Sequence, residues 1–285
     1  MSHSRHAAAV AALGVCALLW SSGGLLIKLL PLSPLAIAGM RSAIAACVMY
    51  LWVRRKGPMN PVWTPAQFGS IISYMFTVVL FVWATKQTTA ANAILLQYTA
   101  PVWVALFSAA ITKERLKKLD VIVVLCVMLG MIVFFLDALT PGAMFGNVLA
   151  VASGIAFAGV ALFMRAQKGT STTESIILGN VLTAVVCIPF AGGLPDASMD
   201  WIAPLLVLGI LQLGASYLLY SWALAHVTAL EAVLITVLEP LLNPVWVGLA
   251  LGEMPSTTAL IGGCLVVAAV VVRGLVGSRP GTSRR

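Results

Sequence analysis

The chain has 285 residues, 61% of them hydrophobic and 9% charged, with a formal net charge of +8 and a mean hydropathy of +1.03. That balance excludes a soluble globular domain and places the chain in a bilayer. The basic excess reads as membrane topology and contact with anionic lipid, because nothing interleaves the basic residues with exposed aromatics as a nucleic-acid surface would.

A spanning helix needs about 20 largely apolar residues. Such runs are predicted near 9–29, 34–54, 66–86, 90–111 and 117–136, and again near 144–164, 173–191, 201–224, 228–251 and 256–276. The first is too long and continuous for a cleaved signal peptide and is read as a helix that stays. In it, Trp20 sits beside Ser21, Ser22, Gly23 and Gly24, small residues at mid-depth that admit another helix or a ligand close to the backbone.

The second run carries Arg41, roughly 10 Å below its nearer end at ~1.5 Å per residue. A charge at a helix centre costs roughly 2.5–3.5 kcal/mol on insertion scales and must face protein or water. Arg41 either attracts a substrate carboxylate near one mouth or is a snorkelling, structurally paired arginine; the second reading is favoured. Ala38, Ser42 and Ala46 form a small-residue ridge on the same run, as close helix packing requires.

Tyr74 and Phe81 share a face of the third run, and Gln97 and Tyr98 occupy the middle of the fourth just before Pro101. Phe157 falls in the sixth. The eighth carries Gln212, Ser216 and Tyr220 at four-residue spacing, with Tyr217 adjacent. On the ninth, Glu231, Glu239 and Asn243 recur at helical spacing and are expected to share one interior face. Glu239 precedes Pro240, and proline both frees a carbonyl and biases its neighbour away from helical geometry, so kinks are expected at Pro101 and Pro240. A pocket of rings and amides suits a flat apolar group with polar ends. The expected substrate-binding residues are Trp20, Tyr74, Gln97, Tyr98, Phe157, Gln212, Tyr217 and Glu239, with Pro101 and Pro240 as hinges. Trp52, Trp63, Trp201 and Trp246 are read as belt residues near segment ends.

Much of the first half overlays the second without a gap: the stretch from Trp83 through Pro101 to Glu114 falls on Trp222 through Pro240 to Glu253, 139 positions later. This is an internal repeat, giving halves at 1–139 and 140–285. Five helices per repeat is an odd number, so the halves enter from opposite faces. The expected fold is an all-α membrane protein of ten transmembrane helices in two inverted five-helix repeats, a plan of secondary transporters with the substrate site near the midplane. Of the 17 basic residues, all but Lys28, Arg41 and Lys86 fall on one face of that plan, which puts both termini in the cytoplasm by the positive-inside rule. Gly248 and Gly252 form a GxxxG that leaves monomer and homodimer open.

Cys16, Cys47, Cys126, Cys187 and Cys264 all lie in predicted spans without CxxC spacing or a nearby histidine, so neither disulfides nor a metal site are expected. No HExxH, GxSxG or phosphate-binding GxxxxGK[ST] occurs, which argues against an enzyme or a nucleotide-driven pump and leaves no expected cofactor. A channel or scaffold is the remaining alternative to a carrier.

The stretch LLWSSGGLLIKLLPLSPLAIAGMR at 18–41 resembles the opening of an EamA repeat of the drug/metabolite transporter superfamily, and ANAILLQYTAPVWVALFSAAITKERLKKLDVIVVLCVMLGMIVFF at 91–135 resembles its close. The second copy keeps Pro240 and Gly252-Glu253 but has Asn180 in place of Arg41 and Gln167 in place of Lys28. The resemblance covers nearly the whole chain and implies a carrier in a bacterial inner membrane that exports small molecules. The aromatic content is similar to that of the superfamily's aromatic amino-acid exporters. Other amino acids, cationic drugs and nucleotide-type metabolites are the alternative substrates that the resemblance leaves open.

Overall fold

The computed structural model describes residues 3–114, 116–136, 144–167, 170–192, 200–242 and 256–277. Among them seven helical stretches are long and apolar enough to cross a membrane, from Ser4–Leu29 to Ile202–Leu224. The chain is an all-helical membrane protein over the described residues.

The first predicted run is two helices, α1 (His3–Trp20) and α2 (Gly23–Leu29), separated at Ser21 and Ser22. Helix α3 (Pro34–Arg54) starts where the Ser33 side chain accepts a hydrogen bond from the Ala36 amide, and α4 (Pro65–Gln87) where Thr64 does so for Gln67. Both have proline in the first turn, where its missing N–H costs nothing. The fourth run is broken into α5 (Ala90–Gln97) and α6 (Ala100–Ile111). The expected kink at Pro101 is therefore a full interruption at Tyr98 and Thr99, with Pro101 in the first turn of the new helix. Helices α7 (Lys118–Phe135), α8 (Met144–Ala166) and α9 (Thr172–Cys187) follow, the last extended by a 3-10 turn at Ile188–Phe190.

The eighth run is continuous but not uniformly α-helical. Between α10 (Ile202–Val207) and α11 (Ser216–Leu224) lies a π-helical stretch, Leu208–Ala215, a widened geometry that is rare and concentrates at functional sites. Helix α12 (Ala229–Thr236) stops at Val237 before the chain turns helical again at 238–242. Asn243, Trp246, Gly248, Gly252 and Glu253 lie outside the described residues. Helix α13 (Thr257–Gly277) ends the description.

The interruption at Val237 corrects the expectation that Glu231 and Glu239 share a face. Glu231 sits in the first turn of α12 and meets His6 Nε2 at 2.9 Å, whereas Glu239 lies beyond the break and lines a different cavity. Helical spacing carries a face only while the helix continues.

Helix α3 packs on α9, α7 on α13, α4 on α8, and α11 on α1. Helix α8 also packs against α5 and α6. Leu29, Leu51, Leu106, Leu125, Val185 and Phe190 face outward, while serines, threonines and amides are buried inside. Lipid is as apolar as leucine, so such a bundle is held by close packing and internal polar bonds rather than by hydrophobic burial. Thr77, Thr85, Ser108 and Thr183 each satisfy their hydroxyl on the carbonyl four residues earlier in their own helix. Gly154 of α8 lets the α5–α6 break approach: a Cβ there would stand 2.6 Å from the Gln97 carbonyl oxygen.

Candidate functional site

The broken and widened helices meet around one interior cavity of about 40 Å³, lined by residues that include Trp20, Arg41, Gln97, Phe157, Gln212 and Glu239. Thr77, Val78, Phe81, Leu213 and Tyr217 complete the lining. A water needs about 10–15 Å³ of such space. Pockets for drug-sized ligands run to several hundred Å³, so the cavity as it stands has room for little more than water.

One wall is aromatic. The Trp20 ring lies 4.9 Å from Tyr217, 5.3 Å from Tyr220 and 5.7 Å from Phe157, centroid to centroid. Tyr74 stands edge-on to Tyr217 at 4.8 Å. The break after Trp20 turns this ring inward, and its Nε1 is anchored by donating to Ser216 Oγ at 2.7 Å. The Ser216 hydroxyl in turn donates to the Gln212 carbonyl, so the π-helical stretch and α1 are tied at the cavity.

The polar side is built from side chains that hold one another. Gln97 Nε2 donates to Ser153 Oγ at 2.8 Å, and Ser153 donates to the Thr77 carbonyl at 3.1 Å. Arg41 Nη1 donates to Gln212 Oε1 at 3.2 Å. The Tyr98 hydroxyl lies 2.6 Å from the Thr236 carbonyl oxygen and 2.6 Å from Glu239 Oε2. A phenol has one hydrogen for these two neighbours, so a hydrogen on Glu239 completes the chain from carboxyl to phenol to carbonyl.

Of the eight expected site residues, Trp20, Gln97, Phe157, Gln212, Tyr217 and Glu239 line the cavity. Tyr74 and Tyr98 stand behind it, fully buried, their hydroxyls spent on Asn180 at 3.0 Å and on Glu239 and Thr236. Pro101 and Pro240 follow the two helix breaks rather than bending continuous helices. Arg41 is 1% exposed, lines the cavity and pairs with a neutral amide, Gln212. Depth alone was legible for it; the direction of its side chain depends on the α3 packing. Thr77 carried no signal beyond lying next to Phe76, and Leu213 none beyond lying next to Gln212.

The helix ends nearby are cross-tied. Lys28, in the last turn of α2, donates to the Thr88 carbonyl just past α4 at 2.7 Å, and Lys86, in the last turn of α4, donates to the Leu30 carbonyl just past α2 at 2.6 Å. Each lysine thus satisfies the other helix's C-terminal carbonyl and its dipole. At the ends of α8 and α11, Arg165 donates to Glu114 Oε1 at 2.8 Å and to the Leu224 carbonyl at 3.2 Å.

The sequence of the EamA-like transporter family matches residues 7–136 and, a second time, 144–274. The chain belongs to this family. An uncharacterized transporter of Archaeoglobus fulgidus is 27% identical, over 90% of this chain and 94% of its own. The uncharacterized transporter YwfM of Bacillus subtilis is 24% identical over 90% of each chain. The pseudopaline exporter CntI of Pseudomonas aeruginosa is 24% identical over 82% of this chain and 84% of its own. A solved crystal structure that is 20% identical covers 96% of this chain and 99% of its own with a TM-score of 0.80, a likeness of fold. The cavity is thus a site inside a multi-pass membrane transporter.

Proposed function

We propose that the chain is a secondary transporter that exports small metabolites, amino acids with aromatic side chains preferred, by alternating access to the cavity at the membrane midplane. The observation that carries this is the cavity itself: Trp20, Phe157 and Tyr217 give a flat apolar wall, and Gln97, Gln212, Arg41 and Glu239 give polar ends, as an aromatic amino acid would need. Glu239 is the group to meet a substrate amine or to carry a proton. A named exporter among the relatives supports the outward direction.

The transporter has ten spans in two inverted repeats, 1–139 and 140–285. Supporting this, α5 and α12 begin and end 139 positions apart, at Ala90 and Ala229 and at Gln97 and Thr236, and α7 and α13 begin at Lys118 and Thr257. The caps repeat too: Thr89 accepts from the Asn92 amide as Thr228 accepts from that of Glu231. Packing respects the exchange, since α3 meets its counterpart α9, α7 meets α13, and α4 on α8 is matched by α11 on α1. With basic residues inside, both termini are cytoplasmic in a bacterial inner membrane, Lys28 and Lys86 close the outer mouth, and Arg165 closes the inner one. The breaks before Pro101 and Pro240 and the one at Ser21 and Ser22 are the hinges.

Counterflow in liposomes tests this function. Uptake of labelled phenylalanine is expected to accelerate when the lumen holds aromatic amino acids and not when it holds threonine or a cationic drug. Acceleration by threonine or drugs alone would remove the aromatic preference, and no acceleration with any load would leave a channel or scaffold. Replacing Lys28 and Lys86 together by alanine frees two charge-assisted bonds, and is expected to raise opening of the outer mouth about tenfold. The check is the rate at which an impermeant thiol reagent added outside modifies a cysteine at position 97; an unchanged rate would place the outer closure elsewhere.

A further inference from the structure

We propose that Arg41 is the receptor for a substrate carboxylate, so that the cavity takes molecules bearing a carboxylate and rejects amines that lack one. This rests on the transport reading above and names the chemical class that the site recognises. Arg41 lines the cavity from α3 while 1% exposed. A guanidinium has five N–H donors. Here Nη1 reaches the neutral oxygen of Gln212 at 3.2 Å, and the buried Nε has no partner. No acidic side chain pairs with Arg41 among the described residues. Glu239 lines the same cavity, but its Oε2 is taken by Tyr98. A cation removed from water with so few partners is costly until an anion reaches it, and the planar guanidinium fork matches a carboxylate in two parallel bonds.

The surroundings hold Arg41 ready for such a ligand. Gln212 sits in the π-helical stretch and is crowded onto Gly23, where a Cβ would stand 2.8 Å from its Nε2. With Nε2 pressed against α2, Oε1 is left toward Arg41. The scaffold does not need the charge: at the equivalent place in the second repeat stands Asn180, which is fully buried and accepts from Tyr74 at 3.0 Å. With a carboxylate on Arg41, the rest of the ligand extends along Trp20 and Tyr217, which line the same cavity.

The test is competition against counterflow of labelled phenylalanine by 3-phenylpropionate, which keeps the carboxylate, and by phenethylamine, which keeps the amine. In the native chain 3-phenylpropionate is expected to compete at least about tenfold better, a difference of the size one charge-assisted bidentate contact supplies. Arg41→Gln is expected to bring the two within about threefold, and Arg41→Lys to restore part of the gap. Phenethylamine competing as well as 3-phenylpropionate in the native chain overturns the proposal, as does an undiminished gap in Arg41→Gln. If labelled phenylalanine is not exchanged at all, the aromatic transport reading has failed. The carboxylate claim is then read on the purified native protein, as the shift in melting temperature given by threonine against its decarboxylated amine. Stabilisation by the amino acid alone upholds it, and any other pattern sinks it.

Discussion

Tyr98→Phe is expected to lower exchange about tenfold or more while the protein still purifies as a folded species. The lost hydroxyl lies 2.6 Å from both the Thr236 carbonyl and Glu239 Oε2, so its removal strands a buried carboxyl and a buried carbonyl together. Leaving such a group unpaired costs about 1–3 kcal/mol, and about 1.4 kcal/mol is a factor of ten. The site matters because Tyr98 sits in the α5–α6 break and Thr236 ends α12 before the equivalent break. The bond therefore ties the two helix breaks to each other behind the cavity. Glu239→Gln keeps a donor for the phenol oxygen and is expected to preserve this tie, so its melting temperature should stay near that of the native chain. Initial exchange rates set beside melting temperatures check both variants. A Tyr98→Phe rate within twofold of native would show that the tie does not govern the cycle.

Gly262→Ala is expected to destabilise the bundle by about 1–3 kcal/mol, the usual cost of overpacking, and to lower the melting temperature by several degrees. A Cβ at Gly262 would collide with the Phe134 amide nitrogen and stand 2.6 Å from the Gly130 carbonyl oxygen. These are backbone atoms of α7, which cannot rotate away as a side chain would. Gly130 presses back, where a Cβ would stand 3.0 Å from the Gly262 carbonyl. Gly14 is the control, because a Cβ there meets nothing within 4 Å. Gly14→Ala removes a helix-interior glycine worth about 1 kcal/mol and should leave stability level or raise it. The comparison is read from thermal unfolding in one detergent. Equal effects at both positions would mean that α7 and α13 are not in the close contact described.

Most of the helical runs, and the constant offset that the double family match at 7–136 and 144–274 parallels, were legible because they rest on composition and spacing, which need no tertiary information. The caps at Thr89 and Thr228 explain why the offset survives at residue level: each satisfies the first free amides of a helix at the same place in its copy. Trp20, Phe157 and Tyr217 were legible as ring-bearing residues near small ones or near amides. What they face was not, and the packing brings those three together while turning Tyr74 and Tyr98 to support polar groups behind the lining. The π-helical stretch had no readable signature, since a widened helix depends on what its neighbours press against it. At Gly209 α3 comes close, a Cβ there standing 2.6 Å from Ile44. The shared face expected of Glu231 and Glu239 was lost at Val237, because proline announces a disturbance but not that the helix stops altogether. Arg41 shows the limit most plainly. Its depth follows from counting residues, while its place in the cavity follows from the packing of α3 on the π-helical stretch, where it meets Gln212.

Alternating access requires that one cavity be reached from the two sides of the membrane in turn. Its most direct measurement is labelling of a Phe157→Cys variant, with the five native cysteines replaced, in sealed proteoliposomes. An impermeant thiol reagent is added outside in one sample and trapped inside in another. Modification is expected from either side, slowed by phenylalanine in both samples, with no leak of the reagent across the membrane. Modification from one side only under every load, or reagent passing freely through, would contradict it.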